Sequence, residues 1–193
     1  ATTARRDGDE WVLDGAKPVV TTAPLADHLI VVARTSGELR DASGVSLFLV
    51  PLGDDTPAGL SMKVVRTVDD RRAADITFDG VRLPADALLL EDGLEQLQYA
   101  WDEATAAVVS EAVGAMRKVF DDTVEYSKQR EQFGQPIGSF QALQHRMVDM
   151  LLELEQAVAA QYLAVLSLSG PADERAAAVS AAKATIGRAA RFV

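Results

Sequence analysis

The chain has 193 residues, enough for one large domain or two small ones, and its 48% hydrophobic content is that of a folded protein rather than a disordered one. A net charge of −10 disfavours nucleic-acid backbones while still allowing a local anion site, and the lack of cysteine excludes disulfides, thiolate metal centres and cysteine catalysis. With only His28 and His145, no apolar run of membrane-spanning length and no leader pattern, the expectation is a cytoplasmic protein without a histidine-rich metal site or a membrane span.

Taken in chain order, the first half, to about residue 90, reads as β. Val12-Leu13, Asp14-Gly15 and the run from Lys17 to Val20 give a hairpin pattern around an Asp-Gly turn. Runs rich in Val, Ile, Leu and Phe follow at 28–33, 45–50, 60–65 and 74–78, separated by Gly, Pro, Asp and Ser. Asp79-Gly80 reads as a second hairpin turn before Val81-Arg82-Leu83. Short strands with regular turn signals predict a small antiparallel barrel or sandwich, ended by Glu91-Asp92-Gly93.

The second half, 91–193, reads as helical. Apolar residues recur at helical spacing from about 94 to 129: Leu97, Trp101, Ala104, Val108, Ala112, Met116, Val119, Thr123 and Tyr126. A helix this long is expected to pack in a bundle. Ser139 is the expected N-cap of the next helix, whose stripe runs through Leu143, Met147, Met150, Leu151, Leu154, Val158, Tyr162 and Val165. Gly170-Pro171 then breaks the chain, with the proline placed in the first turn of an alanine-rich helix that continues to Val193. With no capping signal at Val193, a truncated chain is the expectation, and there is no internal repeat.

Between the first two helices lies the most informative stretch, Tyr126-Ser127-Lys128-Gln129-Arg130-Glu131-Gln132-Phe133-Gly134-Gln135-Pro136-Ile137-Gly138-Ser139-Phe140-Gln141. Gly134 and Pro136 break the helix, and Arg130 is placed to reach out from its end. A guanidinium there either complements the helix C-terminus or offers paired donors to phosphate oxygens.

The stretch resembles the Arg-x-x-Phe-Gly-x-Pro-x-x-x-x-Gln motif of the acyl-CoA dehydrogenase family. Other segments resemble it in the same order: Gly8 to Lys17 the start of the middle β domain, Ala26 to Arg34 its next strand, Phe78 to Pro84 its end, and Glu111-Ala112-Val113-Gly114 the first helix of the C-terminal bundle. Loop and alanine usage resemble actinobacterial members. The resemblance implies an α+β multidomain fragment: an antiparallel β domain over 1–90, then part of an up-down four-helix bundle over 91–193. It implies FAD as cofactor, with Arg130 on the pyrophosphate across a subunit interface, Phe133 packed against the cofactor, Gln141 as a further contact and the Thr21 hydroxyl on the flavin ring. The tryptophan that precedes this threonine in the family is Val19 here. Asp102 matches the aspartate of an Asp-x-x-Arg substrate motif whose arginine is Thr105. Glu103 and Glu111 read as solvated helix carboxylates, and the usual catalytic glutamate is expected beyond Val193.

The implied activity is α,β-desaturation of an acyl-CoA thioester. A carboxylate removes the α-proton, the β-hydrogen passes as hydride to flavin, and an electron-transfer flavoprotein accepts the electrons. The implied assembly is a homo- or hetero-oligomer, a dimer of dimers. Alternatives are a noncatalytic half-site subunit of a heteromeric dehydrogenase, a flavin monooxygenase or oxidase on the same fold, and a plain interaction module.

Overall fold

The computed structural model describes residues 2–193, which divide into two compact units with the boundary between Leu97 and Gln98. The first unit is a seven-stranded sheet: β1 (Thr3–Asp7), β2 (Glu10–Thr21), β3 (His28–Arg34), β4 (Val45–Pro51), β5 (Leu60–Arg66), β6 (Arg72–Pro84) and β7 (Leu88–Leu90). The spatial order is β5-β6-β2-β1-β3-β4-β7. Every neighbouring pair is antiparallel except β1 and β3, which run parallel through Thr3 and Arg34, so the sheet is mixed.

Alternation builds the core. In β3, Leu29, Val31 and Ala33 are buried while His28 and Ile30 are exposed, the period of two of a strand with one covered face. These side chains join Leu13, Phe48, Val50, Ile76, Phe78, Val81 and Leu83 in one apolar cluster. The Trp11 ring meets Phe48 edge to face at 5.3 Å.

The two Asp-Gly pairs are not hairpin turns. The β1–β2 hairpin turns instead at Gly8-Asp9, between the paired residues Asp7 and Glu10, with Gly8 at φ +65°. Asp14-Gly15 and Asp79-Gly80 face each other inside the long β2–β6 ladder, where the register skips between Leu13↔Val81 and Gly15↔Phe78. Two residues of β6 there oppose one of β2, which makes a β-bulge. Gly80 takes φ +61°, and its N–H donates to Asp14 Oδ1 at 2.8 Å. A type I′ turn and a glycine-type bulge both place a residue at positive φ, so an Asp-Gly pair alone does not distinguish them. A second bulge lies further along: Pro18 and Val19 oppose Asp75 between Lys17↔Ile76 and Val20↔Ala74.

The second unit holds most of α1 (Leu94–Gln129), a two-stranded ribbon of β8 (Glu131–Gln132) and β9 (Gln135–Pro136), then α2 (Gln141–Ser167) and α3 (Ala172–Phe192). The predicted limits of α1 coincide with those observed. Its buried side chains do not all follow the predicted stripe: Met116 is buried, but Trp101, Val108, Val119 and Tyr126 are exposed. Ala106, Val109 and Val113 face the core instead, because α1 is apolar on more than one side. On α2, Leu154 and Ala157 are the centre of packing, joined from α3 by Val179, Ala182, Ile186 and Ala189. Small residues at facing positions let helices approach closely. Pro171 is the N-cap of α3 rather than its first helical residue, and Asp173 and Glu174 occupy the first turn, where carboxylates suit the helix dipole. Among the described residues, no helix is long and apolar enough to cross a membrane.

Candidate functional site

Three of the five candidate residues lie on the corner between α1 and α2. Arg130 follows the last residue of α1: its N–H donates to Tyr126 O at 2.9 Å, and its carbonyl accepts from Ile137 N at 2.8 Å. Those bonds close the β8–β9 ribbon at the end of the helix. The ribbon turns at Phe133 and Gly134, at φ +55° and +81°. Positive φ at both central residues is the requirement of a type I′ turn. Glycine meets it freely, whereas a phenylalanine there is strained.

Phe133 is nonetheless 91% exposed, touching Phe140 edge to face at 6.1 Å. Backbone strain of this kind clusters at active sites, ligand clamps and switch regions. The Arg130 side chain is exposed as well and, among the described residues, its guanidinium makes no hydrogen bond or ion pair.

Gln141 is the first residue of α2, and its side chain is exposed. The helix is capped differently from the sequence expectation. Phe140, not Ser139, is the N-cap, and no side chain caps it. Ser139 belongs to a short 3₁₀ turn, Ile137–Ser139, and its hydroxyl donates back to Pro136 O at 2.7 Å. Gly138 lets that turn close onto α1, since a β-carbon on it would stand 2.9 Å from Ser127 Oγ and 3.0 Å from Ser127 O. Ser127 itself is buried and donates to Val124 O at 2.7 Å.

Thr21 is in the β unit, at the exposed end of β2, paired with Ala73. Thr22 after it is left-handed at φ +62°, and its hydroxyl donates to Thr21 O at 2.6 Å. On the same strand Lys17 is half-buried with Nζ donating to Val32 O at 2.6 Å, and burial lowers its pKa.

Asp102, the fifth candidate, sits in the helical unit away from the corner motif in sequence. Its Oδ2 accepts from Arg175 Nε of α3 at 3.0 Å, and the two side chains are only 15% and 9% exposed. The Arg175 guanidinium also lies over the Tyr99 ring, 4.8 Å from its centroid. The Glu103 carboxylate, one helical turn further on, raises the Tyr99 phenol pKa above its ordinary value. Beside this network Trp101, Ala104, Thr105, Val108, Val109 and Lys183 line an apolar cavity of about 260 Å³. His145, Glu103 and Glu111 are exposed.

Sequence reasoning missed Arg175 and Gly138. An arginine in the first turn of a helix carries no signal of a partner on another helix. The Gly138 role depends on how closely two turns approach.

Comparison with known proteins gives these parts a common origin. The acyl-CoA dehydrogenase C-terminal domain family matches residues 91–193, and the acyl-CoA dehydrogenase middle domain family matches residues 1–81. The chain is 38% identical over 162 residues to the mitochondrial short-chain specific acyl-CoA dehydrogenase of Bos taurus, covering 81% of this chain and 38% of that protein. A probable acyl-CoA dehydrogenase of Mycobacterium abscessus superposes with a TM-score of 0.85 at 25% identity, over 100% of this chain and 51% of the other. A glutaryl-CoA dehydrogenase of Mycobacterium smegmatis, solved in complex with FADH2, superposes with a TM-score of 0.81 at 28% identity, over 98% and 47%. The chain thus spans about two fifths to about half the length of these relatives. With both matched domains in the relatives' order and the fold of each unit reproduced, the chain belongs to the acyl-CoA dehydrogenase family.

Proposed function

We propose that this chain is the middle β domain, 1–90, and the first part of the C-terminal bundle, 91–193, of an FAD-dependent acyl-CoA dehydrogenase. The observation that carries this reading is the corner at Arg130. An exposed guanidinium without a protein partner among the described residues stands beside a strained, exposed aromatic and the exposed Gln141. That donor set fits a pyrophosphate-bearing aromatic cofactor: a charged fork for phosphate oxygens, an amide, and a flat ring. The M. smegmatis relative, solved with FADH2, supports the choice of FAD.

In this reading Arg130 and Gln141 hold the cofactor of a neighbouring subunit, Phe133 packs against it and keeps water away, and the Thr21 hydroxyl donates to the flavin ring. Bound FAD supplies the acceptor for the hydrogen and electrons taken from the acyl chain. The residues of this chain bind, orient and shield. No catalytic base is assigned among them. An acyl-CoA is the substrate class, and an electron-transfer flavoprotein the acceptor.

A second reading is a noncatalytic subunit that lends its corner to a partner's cofactor. Asp102 favours it, because the carboxylate matching the substrate motif is already held by Arg175 and largely buried. An absorption spectrum of the full-length protein, taken before and after anaerobic addition of a panel of acyl-CoAs, separates the two. Flavin that bleaches with one acyl class establishes the dehydrogenase and its substrate. Bound flavin that never bleaches, or no flavin, supports the partner subunit.

A further inference from the structure

Both bulges of the β2–β6 ladder set an aspartate against the backbone of the opposite strand. At the first, Asp14 Oδ1 accepts from Gly80 N at 2.8 Å, and the residue at positive φ is a glycine. At the second, Asp75 Oδ1 accepts from Val19 N at 2.9 Å, and the residue at positive φ is Val19, at +50°. A β-branched side chain is among the worst occupants of that conformation. Backbone strain of this kind persists only where the surroundings over-determine it.

The strain has a local result. Past the bulge the register resumes at Val20↔Ala74 and Thr21↔Ala73. Val20 then packs on the core of the β unit, and Thr21 is exposed. Because side chains alternate along a strand, absorbing the extra residue without a bulge would exchange these two faces. It would bury the hydroxyl and expose the valine.

We propose that Asp75 is a positioning residue for the cofactor: its carboxylate pins the strained Val19 bulge, and the bulge presents the Thr21 hydroxyl to the flavin. The proposal rests on the FAD reading above. Asp75 does not touch the cofactor; it acts through the N–H of Val19 and the register of β2.

The test uses the full-length flavoprotein with four variants: Thr21→Val, Asp75→Ala, Asp75→Asn and the double variant Val19→Gly with Asp75→Ala. Three quantities are read: amide exchange at Val19 in the apoprotein, the absorption spectrum of bound flavin, and its midpoint potential. Loss of a hydrogen bond to a charged acceptor should speed Val19 exchange in Asp75→Ala about tenfold or more. The flavin spectrum and potential should shift in the same direction as in Thr21→Val. Asp75→Asn keeps an acceptor oxygen and should restore most of both. Glycine at position 19 tolerates the bulge without the carboxylate, so the flavin spectrum and potential of the double variant should return toward wild type while its amide at 19, still without the Asp75 acceptor, exchanges fast; the double variant also serves if Asp75→Ala alone folds poorly. A flavin that shifts in Thr21→Val but not in Asp75→Ala overturns the positioning role while leaving the FAD reading intact. A flavin unmoved by Thr21→Val overturns the assignment of Thr21 and the proposal with it.

Discussion

Arg175, in the first turn of α3, reaches Asp102 on α1 and forms the most enclosed ion pair of the helical unit, Nε to Oδ2 at 3.0 Å. Both side chains are largely withdrawn from water, so each charge depends on the other. Removing one partner should therefore cost far more than removing both. Arg175→Ala is expected to destabilise the protein by about 3–5 kcal/mol. The double variant Asp102→Leu with Arg175→Met should lie near wild type. Denaturant unfolding of the three proteins measures the difference, and equal losses in single and double variants would count against mutual dependence.

The Tyr99 phenol should ionise above its ordinary value of 10.0. The chief cause is the Glu103 carboxylate, as an acceptor for the phenol and as a charge, followed by burial, with Arg175 opposing them. The folded state therefore favours the neutral phenol. The stability this contributes is complete below the unfolded pKa and is lost as pH rises through the folded one. Ultraviolet titration of tyrosine should show the late-ionising group move down in Glu103→Ala. A titration identical to wild type would disprove the contact.

Arg130→Ala should weaken FAD retention in the intact protein roughly tenfold to a hundredfold, the range for one hydrogen-bonded charge of about 1.5–3 kcal/mol. Melting of the apoprotein should stay unchanged, because the side chain is exposed and, among the described residues, unpaired. Arg130→Lys should fall between, since an ammonium keeps the charge but loses the paired donors. Flavin content after extensive dialysis gives the answer, and full occupancy in the alanine variant removes Arg130 from the site.

Gly138→Ala should disturb the corner without touching any proposed ligand contact. The added methyl would press on both Ser127 Oγ and Ser127 O, at 2.9 and 3.0 Å. Overpacking of that kind costs about 1–3 kcal/mol. A lower melting temperature together with weaker flavin retention is the expected pair of results. Gly134→Ala offers a contrast, since a β-carbon there meets nothing within 4 Å and the strain comes from φ alone.

Much of this was legible in the sequence, for identifiable reasons. The strands from His28 to Arg34 and from Leu60 to Arg66 announce themselves by β-rich runs between breakers, and α1 by an unbroken helical period. The corner residues were legible because one short motif carries them all, so their spacing survives folding. The bulges were not, because Asp14-Gly15 and Asp79-Gly80 acquire their meaning only opposite each other. The buried face of α1 was ambiguous, since Trp101 and Val108 satisfy the same period as Val109 and Met116 on a neighbouring arc of the helix. The pairing of Asp102 with Arg175 joins residues that no local pattern connects.

The ladder between β2 and β6 sets an order of events during synthesis. Glu10 pairs with Pro84, and Thr21 with Ala73, so β2 leaves the ribosome long before its main partner exists. Until β6 emerges, β2 has only β1 beside it, and its other edge is unpaired. Contacts this distant along the chain form slowly. The interval between the emergence of β2 and that of residues 72–84 is therefore when the nascent β unit is most exposed to misassembly, and when a chaperone has most to protect.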